Sequence, residues 1–450
     1  LAVGIGAAGI GAGVANGTTV TLVDGKTLAE ISGSTITTSG LNVSANHLDR
    51  INTNAISVAG AGGAGIGIGV SVLNENSETD AAIENTNVTY SDSDGATVIN
   101  ADNATQMNYQ LYNVGGGVVG VSGSVGVANV NSKVNANVVN ADFGADTDGN
   151  KTGSIDIGAA NNIDFKQTAG TAGAGAVGVG VGVSVNTIDS QVQTNVKNSN
   201  LYAKGNIDVT AEETRNVDQL AVNAGAGGIA AGANVMVTNV GKEVSNAYGT
   251  DGMDEVNVEQ AYQEAQNAIN GGKLTSDYTL GALNDTEAGN ASGNAVPGKG
   301  GQQDSIVKVD IDGATLKTDG NISAEAHETT NVNMEGINAQ LAAGGSAAGT
   351  VGILNVYRNS GVEITSAERD AADVDIKAIQ SGLSKLNIYQ GAGAVGGAIG
   401  AAYGSINSEG KSGVGIGNST ITSDEDVDIT ANDESRTEVN AIGVSLAGGG

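Results

Sequence analysis

The fold is decided by the stretch AGAGGAGIGIGVSVLN, residues Ala59–Asn74, which carries no charge and has glycine at nearly every second position. A near copy, AGAGAVGVGVGVSVN, occupies residues Ala172–Asn186. In an extended strand the glycines point to one side, and Ile66, Ile68 and Val70 point to the other. Each glycine weakens a strand by about 0.5–1 kcal/mol relative to alanine. We therefore predict that the β-branched side is buried and that the bare glycine side lets another sheet or backbone approach closely.

The glycine-rich stretch recurs because the chain is built from repeats. A strand that ends in alanine before a group of polar residues marks each repeat, and the marker alanines are Ala45, Ala101, Ala159, Ala211, Ala324, Ala378 and Ala431. Successive markers are 56, 58, 52, 113, 54 and 53 residues apart, so one interval contains an insertion. No single repeat has enough large apolar side chains to close a core. The repeats are therefore expected to stack on each other as a solenoid.

The fold class predicted is all-β: a parallel β-helix (β-solenoid) built from glycine-rich repeats of ~54 residues. Segments such as NLYAKGNIDVTAEE, Asn200–Glu213, have the pattern of two short alternating strands joined by a polar corner. A repeat of this length divides into about three coils of ~18 residues, or two of ~27. With strands ~4.8 Å apart, three coils per repeat would give about 20 coils and a rod ~100 Å long.

The repeats are interrupted once. We predict solenoid repeats at 1–241, an insertion at 242–303 and further solenoid repeats at 304–450, as a fragment of a longer chain. In the insertion, apolar residues from Val256 to Ile269 are spaced as on one helix face, and Gly271 supplies a stop. A flexible Gly/Asn/Ser stretch with Pro297 follows. The insertion is either a binding element on one side of the solenoid or a tolerated loop packed on its flank.

Composition limits both the core and the partners. The chain has 71 glycines, two phenylalanines, ten tyrosines and no tryptophan or cysteine, so apolar surface is buried in thin layers of small and branched side chains, without disulfides. Its net charge of -30 argues against nucleic acid as a partner, because phosphate neutralisation needs clustered Lys and Arg. The same charge disfavours an anionic membrane surface and could attract divalent cations.

The sequence contains no convincing catalytic group. His47 and His327 both follow a marker alanine closely, and we expect both to lie in solvated polar turns. No Ser/His/Asp or Cys/His set can be assembled around them. Stacked acids occur in β-helical pectin-cleaving enzymes, but such sites add Arg or Lys in a groove, and the 19 basic residues here are scattered singly. We predict no catalytic or cofactor-binding residues and no enzyme activity.

One segment resembles a calcium loop. DTDGNKTGSID places Asp146, Asp148 and Asn150 at ligand spacing. Lys151 stands where the loop needs glycine, and Ile157 stands where it needs a bidentate acid. The segment SDSDGAT, from 91 to 97, is a weaker instance of the same pattern. We therefore predict no metal-ligating residues and no cofactor, with weak surface Ca²⁺ binding as the alternative.

The uncharged run Thr168–Ile188 is long enough to be a membrane-spanning helix, but its glycine content and its period of two favour a strand. We therefore predict no membrane insertion of this segment. A silk-like stacked sheet shares the same local pattern. The acidic segments between the glycine-rich blocks favour an ordered, soluble array over such a sheet.

The runs STITSDEDVDITANDESRTEVNAIGVSLAGGG and AGAGGAGIGIGVSVLNENSETDAAIENTNV resemble the repeats of large bacterial surface exoproteins. These are the filamentous-haemagglutinin-like and leukotoxin-like filamentous adhesins of anaerobic Gram-negative bacteria. The resemblance covers the chain outside 242–303. It implies a right-handed parallel β-helix that is secreted across the outer membrane and displayed on the cell surface as a fibre.

The function predicted is that of a structural shaft, or passenger segment, of a secreted cell-surface filamentous adhesin, which extends from the bacterium and contacts cells or surfaces. Its expected partners are host or bacterial cell-surface molecules and further copies of itself in fibres, and its expected location is extracellular. Two alternatives remain open at this point: a leukotoxin-like exoprotein acting on host membranes, and a self-assembling extracellular matrix fibre.

Overall fold

The computed structural model describes residues 1–91, 94–147, 150–241 and 305–448. These residues form an all-β parallel β-helix in which each coil has two long arms and one short strand. The first arms are β1 (Ala2–Ala8), β4 (Leu41–Ala61), β7 (Ala96–Gly116), β17 (Val374–Ala394) and β20 (Val427–Ala447). The second arms are β2 (Ala12–Ser32), β5 (Ala64–Glu84), β8 (Val119–Val139), β13 (Ile306–Asp312) and β18 (Gly397–Gly417).

Three strands continue past the bend between the arms: β10 (Ser154–Lys197), β12 (Ile207–Val240) and β15 (Ile322–Thr365). The short strands are β3 (Thr35–Thr38), β6 (Asn87–Tyr90), β9 (Asp142–Phe143), β11 (Asn200–Ala203), β14 (Thr315–Thr318), β16 (Glu368–Ala371) and β19 (Thr420–Ser423). The arms form a 13-stranded sheet and the short strands a 7-stranded sheet, with parallel pairing throughout. In the described part of the chain there is no helix.

Each repeat is one coil, which corrects the prediction of two or three coils per repeat. Ile155 pairs with Ile207, 52 residues later, and with Thr97, 58 residues earlier, so the ladder connects whole repeats. An arm of 21 residues is about 70 Å long, and eight first arms stack to about 35 Å. The predicted ~100 Å rod of about 20 coils is therefore wrong. The described coils form a broad, short slab, because each coil is three times longer than expected.

The marker alanines stack in one inward column, which explains why they recur. The column runs through Ala45, Ala101, Ala159, Ala211, Ala326, Ala378 and Ala431. Ala324, the marker predicted for this repeat, lies two residues before the column, and Ala326 occupies the column position. The markers also do not end a strand: each lies near the start of a long first arm, and the polar residues after it continue that arm. The structure thus has extended strand where the sequence suggested a turn.

Two aliphatic cores fill the space between the arms. The first lies next to the short strands and contains Phe143, and the second lies nearer the bend and contains Phe165 and Tyr109. The hydroxyl of Tyr109 donates to the Ser71 carbonyl oxygen and accepts from the Val127 N–H (3.1 Å), both on second arms. The few large side chains therefore tie the two arms of the slab together.

The glycine-rich blocks form the bend and the parts of the arms beside it. A Cβ atom on Gly67 would lie 2.5 Å from the Val114 carbonyl oxygen, and one on Gly178 would lie 2.6 Å from that of Gly173. Backbone thus packs against backbone across the interior, which confirms the predicted close approach. The β-branched side chains occupy the opposite, outward side of the second arm. On β5 and β8 these side chains are buried, as predicted: Ile68 and Val70 are 4% exposed and form a third apolar cluster with Val121 and Val125.

A left-handed corner follows every second arm and was not predicted. Its residues are Gly33, Asn85, Asn140, Asn198, Gly313, Ser366 and Asn418, with φ between 49° and 62°. In every coil but the last, the backbone N–H of this corner residue donates to the carbonyl oxygen at the end of the next coil's second arm. One example is the N–H of Asn85, which donates to the Val139 carbonyl oxygen (3.0 Å). Glycine and asparagine tolerate this conformation best, which explains their recurrence at the corner.

The predicted helix and loop of 242–303 lie outside the described residues. On either side of this segment, β12 ends at Val240 and β13 begins at Ile306, and β13 pairs with β10 from Gln191 onwards. The next first arm, in β15, pairs directly with β12. Thr168–Ile188 is part of strand β10. In the described ranges we find no helix long and apolar enough to span a membrane.

The Gly178→Ala variant tests the close packing of the arms. We expect it to lower the free energy of unfolding by about 1–3 kcal/mol, because the new methyl group meets two backbone carbonyls, at 2.6 and 2.8 Å, that cannot rotate away. Gly391→Ala is the matched control, since no atom lies within 4 Å of its Cβ position. The measurement is the free energy of unfolding of both variants in urea, compared with that of the original protein. Equal stability of the two would contradict the packing described here.

Candidate functional site

Polar side chains occupy the interior between the two aliphatic cores in coil after coil. On the first arms they lie two or four residues after the marker alanine, and on the second arms they face these positions. They are Ser77, Asn103, Ser132, Asn161, Ser190, Glu213, Arg215, Glu328, Thr330, Arg358 and Gln380, each no more than 3% exposed. We call this set the polar column. The sequence alone does not reveal this column, because these positions have the local pattern of solvated turns.

Hydrogen bonds connect the column from one coil to the next. Asn103 Nδ2 donates to Asn161 Oδ1 (2.9 Å), and Asn161 Nδ2 donates to Glu213 Oε1 (3.0 Å). From the second arms, Ser132 donates to Asn161 Oδ1 (3.1 Å) and Ser190 donates to Glu213 Oε1 (2.5 Å). Buried polar groups cost free energy unless they are hydrogen-bonded, and the stacking supplies the partners of these four bonds. Asn103 Oδ1, Glu213 Oε2 and Arg358 Nε have no hydrogen-bond partner among the described residues.

The column includes a buried ion network in the coils next to residue 241. Arg215 lies between Glu213 (Nε to Oε1, 3.8 Å) and Glu328, to which its Nη2 donates. Its Nε also donates to Thr330 Oγ1 (3.1 Å), and Glu328 Oε2 accepts from the Asn359 N–H (2.7 Å). Burial opposes the charge of Arg215, but the neighbouring carboxylates outweigh burial and raise its pKa above the usual value. Arg215 is therefore a permanent cation inside the slab.

The enclosed position of the column determines what it can do. All its members are fully covered, so no substrate reaches them without unfolding of the coil. Removing one partner of a buried ion pair costs about 3–5 kcal/mol, and a slip in strand register would separate Glu328 from Arg215 in the same way. The polar column thus specifies the stacking register of the coils.

The two histidines do not share a site, and neither lies in a turn. His47 points inward on β4, where Thr27 Oγ1 lies 3.0 Å from its Nδ1 and Asp49 Oδ2 lies 3.0 Å from its Nε2. His327 points outward on β15 beside Glu325 (3.4 Å) and stacks with Glu212. The expectation of two solvated turns was therefore wrong, because the polar residues after the marker alanines continue the strand.

The residues of the calcium-like loop have other partners. Asn150 Oδ1 accepts from the Tyr90 N–H (2.9 Å), and Lys151 Nζ lies 2.8 Å from Asp319 Oδ1. Ile157 is fully buried in the first core, and Asp146 lies 3.8 Å from Lys317 Nζ. Asp148 is outside the described residues, as are two residues of the segment from 91 to 97. Among the described residues no group of three or more His, Cys, Asp or Glu could hold a metal ion.

A polar groove of about 360 Å³ lies on the outer side of the first arms. Its lining consists of Asp164, Lys166, Asn216, Val217, Asp218, Asn331, Val332, Asn333 and Leu383. It overlies a break in the ladder between β15 and β17, where pairing stops after Thr329 and resumes at Val332. Gly382, with φ of 145°, forms this bulge, and Arg358 Nη2 donates to the Thr330 carbonyl oxygen beneath it (3.1 Å).

The polar groups that line the groove are asparagine amides and the charged side chains of Asp164, Lys166 and Asp218. No hydroxyl or thiol nucleophile lines it. Lys166 Nζ and Asp164 Oδ2 are 3.4 Å apart, and Asn331 Nδ2 donates to Asn216 Oδ1 (3.1 Å). Such a surface can hydrogen-bond a polar ligand.

Glu75 is the buried acid with the clearest electrostatic consequence. Its side chain points inward on β5 and is 0% exposed. Burial raises the pKa of Glu75 from an ordinary 4.5 to about 7, and the charge of Asp49 adds to this effect. The folded chain therefore holds a proton here that the unfolded chain releases between pH 4.5 and 7. The contribution of Glu75 to the free energy of unfolding is therefore complete below pH 4.5, and it is lost as the pH rises through 7.

The Glu75→Gln variant tests this linkage. We expect it to match the original protein at pH 4 and to be more stable by about 1–3 kcal/mol at pH 8, where the original protein must bury a carboxylate or take up a proton. The measurement is the difference in free energy of unfolding between the two proteins across this pH range. Glu84→Gln, at an outward position of the same strand, is the control. A difference that is independent of pH would refute the argument.

Comparison with protein-family models, with curated proteins and with solved structures found no match to this chain.

Proposed function

We propose that the chain is a structural shaft segment of a secreted bacterial cell-surface filamentous adhesin. The observation that carries this proposal is the parallel ladder, which runs from the first coil to the last and pairs both arms of neighbouring coils. Strand pairing joins each coil only to its neighbours, so coils can be added along the axis without changing the ladder of the others. Such a repeat makes a stiff spacer whose length is set by the number of coils.

The way the polar groups are used supports a scaffold role. The buried ones bond within the stack, where they fix the register. The outward ones form ladders of amides and acids, such as Asn131 to Asn76 (3.0 Å) and Asn76 to Asp24 (3.1 Å), which keep the outer side hydrated. In this proposal the polar groove around Asp218 and Asn331 is the surface that contacts molecules on other cells.

Single-molecule force spectroscopy tests the mechanical part of the proposal. Pulling the chain from its two ends should release one coil at a time, in steps of roughly 180 Å for about 52 extended residues. Coils of ~18 residues would instead release roughly 60 Å per step. The steps should be regular outside the interval that contains 242–303, because neighbouring coils make the same kinds of contact. Unfolding of the whole chain in one event would argue against a modular shaft.

Surface labelling and adhesion assays test the biological part. On intact cells that produce the parent protein, an antibody against this segment should bind without permeabilisation, and deletion of the protein should reduce attachment to host cells. A parent with Lys166→Ala and Asp218→Ala should remain displayed and attach less well if the polar groove makes the contact. Lys204→Ala with Asp424→Ala is the control pair outside the groove. An intracellular location, or unchanged attachment after deletion, would refute the proposal.

A further inference from the structure

The outward side of the first arms, next to the bend, is an apolar surface. It consists of three columns of stacked residues on the eight first arms, and we call it the first-arm apolar face. On β4 the first, second and third columns contain Ile56, Val58 and Gly60, and on β7 they contain Tyr112, Val114 and Gly116. The strand pairing extends the same three columns to the other six first arms.

This face is open to solvent in the single chain. Val58 is 42% exposed, Val114 is 41% exposed and Leu341, in the third column, is 66% exposed. Their strands are paired on both sides, so this exposure is not an effect of the ends of the stack. No atom lies within 4 Å of the Cβ position of Gly60. The outward side of β5 differs, because Ile68 there is 4% exposed.

The composition of the face is that of an interface centre with a polar rim. None of its residues is charged, and only Tyr112 and Tyr389 carry a side-chain polar atom. The column beside it, on the side away from the bend, carries the amides of Asn54, Gln110 and Asn387. Since the chain has a net charge of -30, its acidic groups are concentrated elsewhere on the slab. Protein interfaces have the same depletion of charge at the centre and the same polar margin.

We propose that the first-arm apolar face binds the same face of a second copy of this chain. With ~3.3 Å per residue and ~4.8 Å between strands, the face measures about 20 Å by 38 Å, or about 760 Å². A stable protein–protein interface buries about 800 Å² on each partner. The face therefore has the area that a two-fold dimer needs, and it exceeds the largest apolar patch of typical monomers, about 300–600 Å².

The sizes of the side chains define how the two copies meet. A two-fold axis parallel to the stack places the first column of one copy opposite the third column of the other. From β1 to β12 the third column contains only glycine and alanine. Ile56 of one copy then fits the open space over Gly60 of the other, as in the packing of two sheets ~10 Å apart. The two stacks lie side by side and parallel, so additional coils would extend the same contact.

The chemistry beside the face favours a second copy over a lipid surface. Docking on lipid headgroups relies on basic residues next to the apolar surface. The adjoining column has no Lys or Arg, and its one charged residue is Glu335. This inference goes beyond the shaft function and does not depend on it.

Sedimentation equilibrium of the full chain tests the proposal. The original protein should dimerise with a Kd in the micromolar range or tighter, which interfaces of this size reach. Val114→Asp should weaken the dimer by about 100-fold or more, because it places two unpaired carboxylates opposite each other at the two-fold axis. Gln106→Asp is the matched control, since it adds the same charge at an outward position of β7 outside the face, and the dimer should persist.

A second pair of variants keeps the test independent of folding defects. Gly60→Leu directs a side chain into open space, so the monomer should fold with unchanged circular dichroism. The dimer should weaken by about 10-fold, because the space that receives Ile56 is filled. Adding Ile56→Ala to Gly60→Leu should restore most of the affinity, since the large and the small position are then exchanged.

Three results would overturn the proposal: an original protein that stays monomeric, a dimer that is unaffected by Val114→Asp and Gly60→Leu, or a monomer that binds zwitterionic phosphatidylcholine vesicles through this face. The vesicle result would assign the face to lipid. A Gly60→Leu dimer whose affinity Ile56→Ala does not restore would overturn the two-fold arrangement.

Discussion

Parallel pairing between residues one coil apart is the interaction on which the rest of the structure depends. It places equivalent positions of successive repeats directly above each other at ~4.8 Å. Every inward column therefore has to suit the whole stack, since one large or unpaired side chain disturbs the coils on both sides. The alanine column from Ala45 to Ala378 and the left-handed corner at Asn85, Asn140 and Asn198 are both consequences of this constraint.

The polar column shows how the slab meets that constraint with charged groups. Two aliphatic cores alone would allow the long arms to slide by two residues, because Val and Ile at alternate positions are nearly interchangeable. The amides of Asn103 and Asn161 and the pair of Arg215 with Glu328 have partners in one register only. Buried charge thus supplies specificity that the aliphatic layers lack. It carries a desolvation cost, and the same cost raises the pKa of the buried Glu75.

The sequence predicted the solenoid, its period and the close approach at the glycines, because these leave regular marks on residue type. It did not predict coil length. The polar residues after each marker alanine look like a turn when read locally, and only their pairing in the stack shows that Asn103 or Glu213 faces the interior of a continuous strand. A usable signal was present, because a polar residue follows the marker column at +2 in every coil. The bulge at Gly382 left no comparable pattern, so the polar groove could not be found from the sequence.

Long arms and inward glycines have the same physical origin. As the two arms converge on the bend, the space between them shrinks until Gly67 and Gly178 lie against backbone. No aliphatic side chain fits there, yet an arm of glycine and serine alone would have little strand preference. Placing Val and Ile at the alternate, outward positions restores that preference and lets the side chains pack along the stack. The aliphatic side chains on the outward side of the second arms are therefore a direct consequence of narrowing the interior.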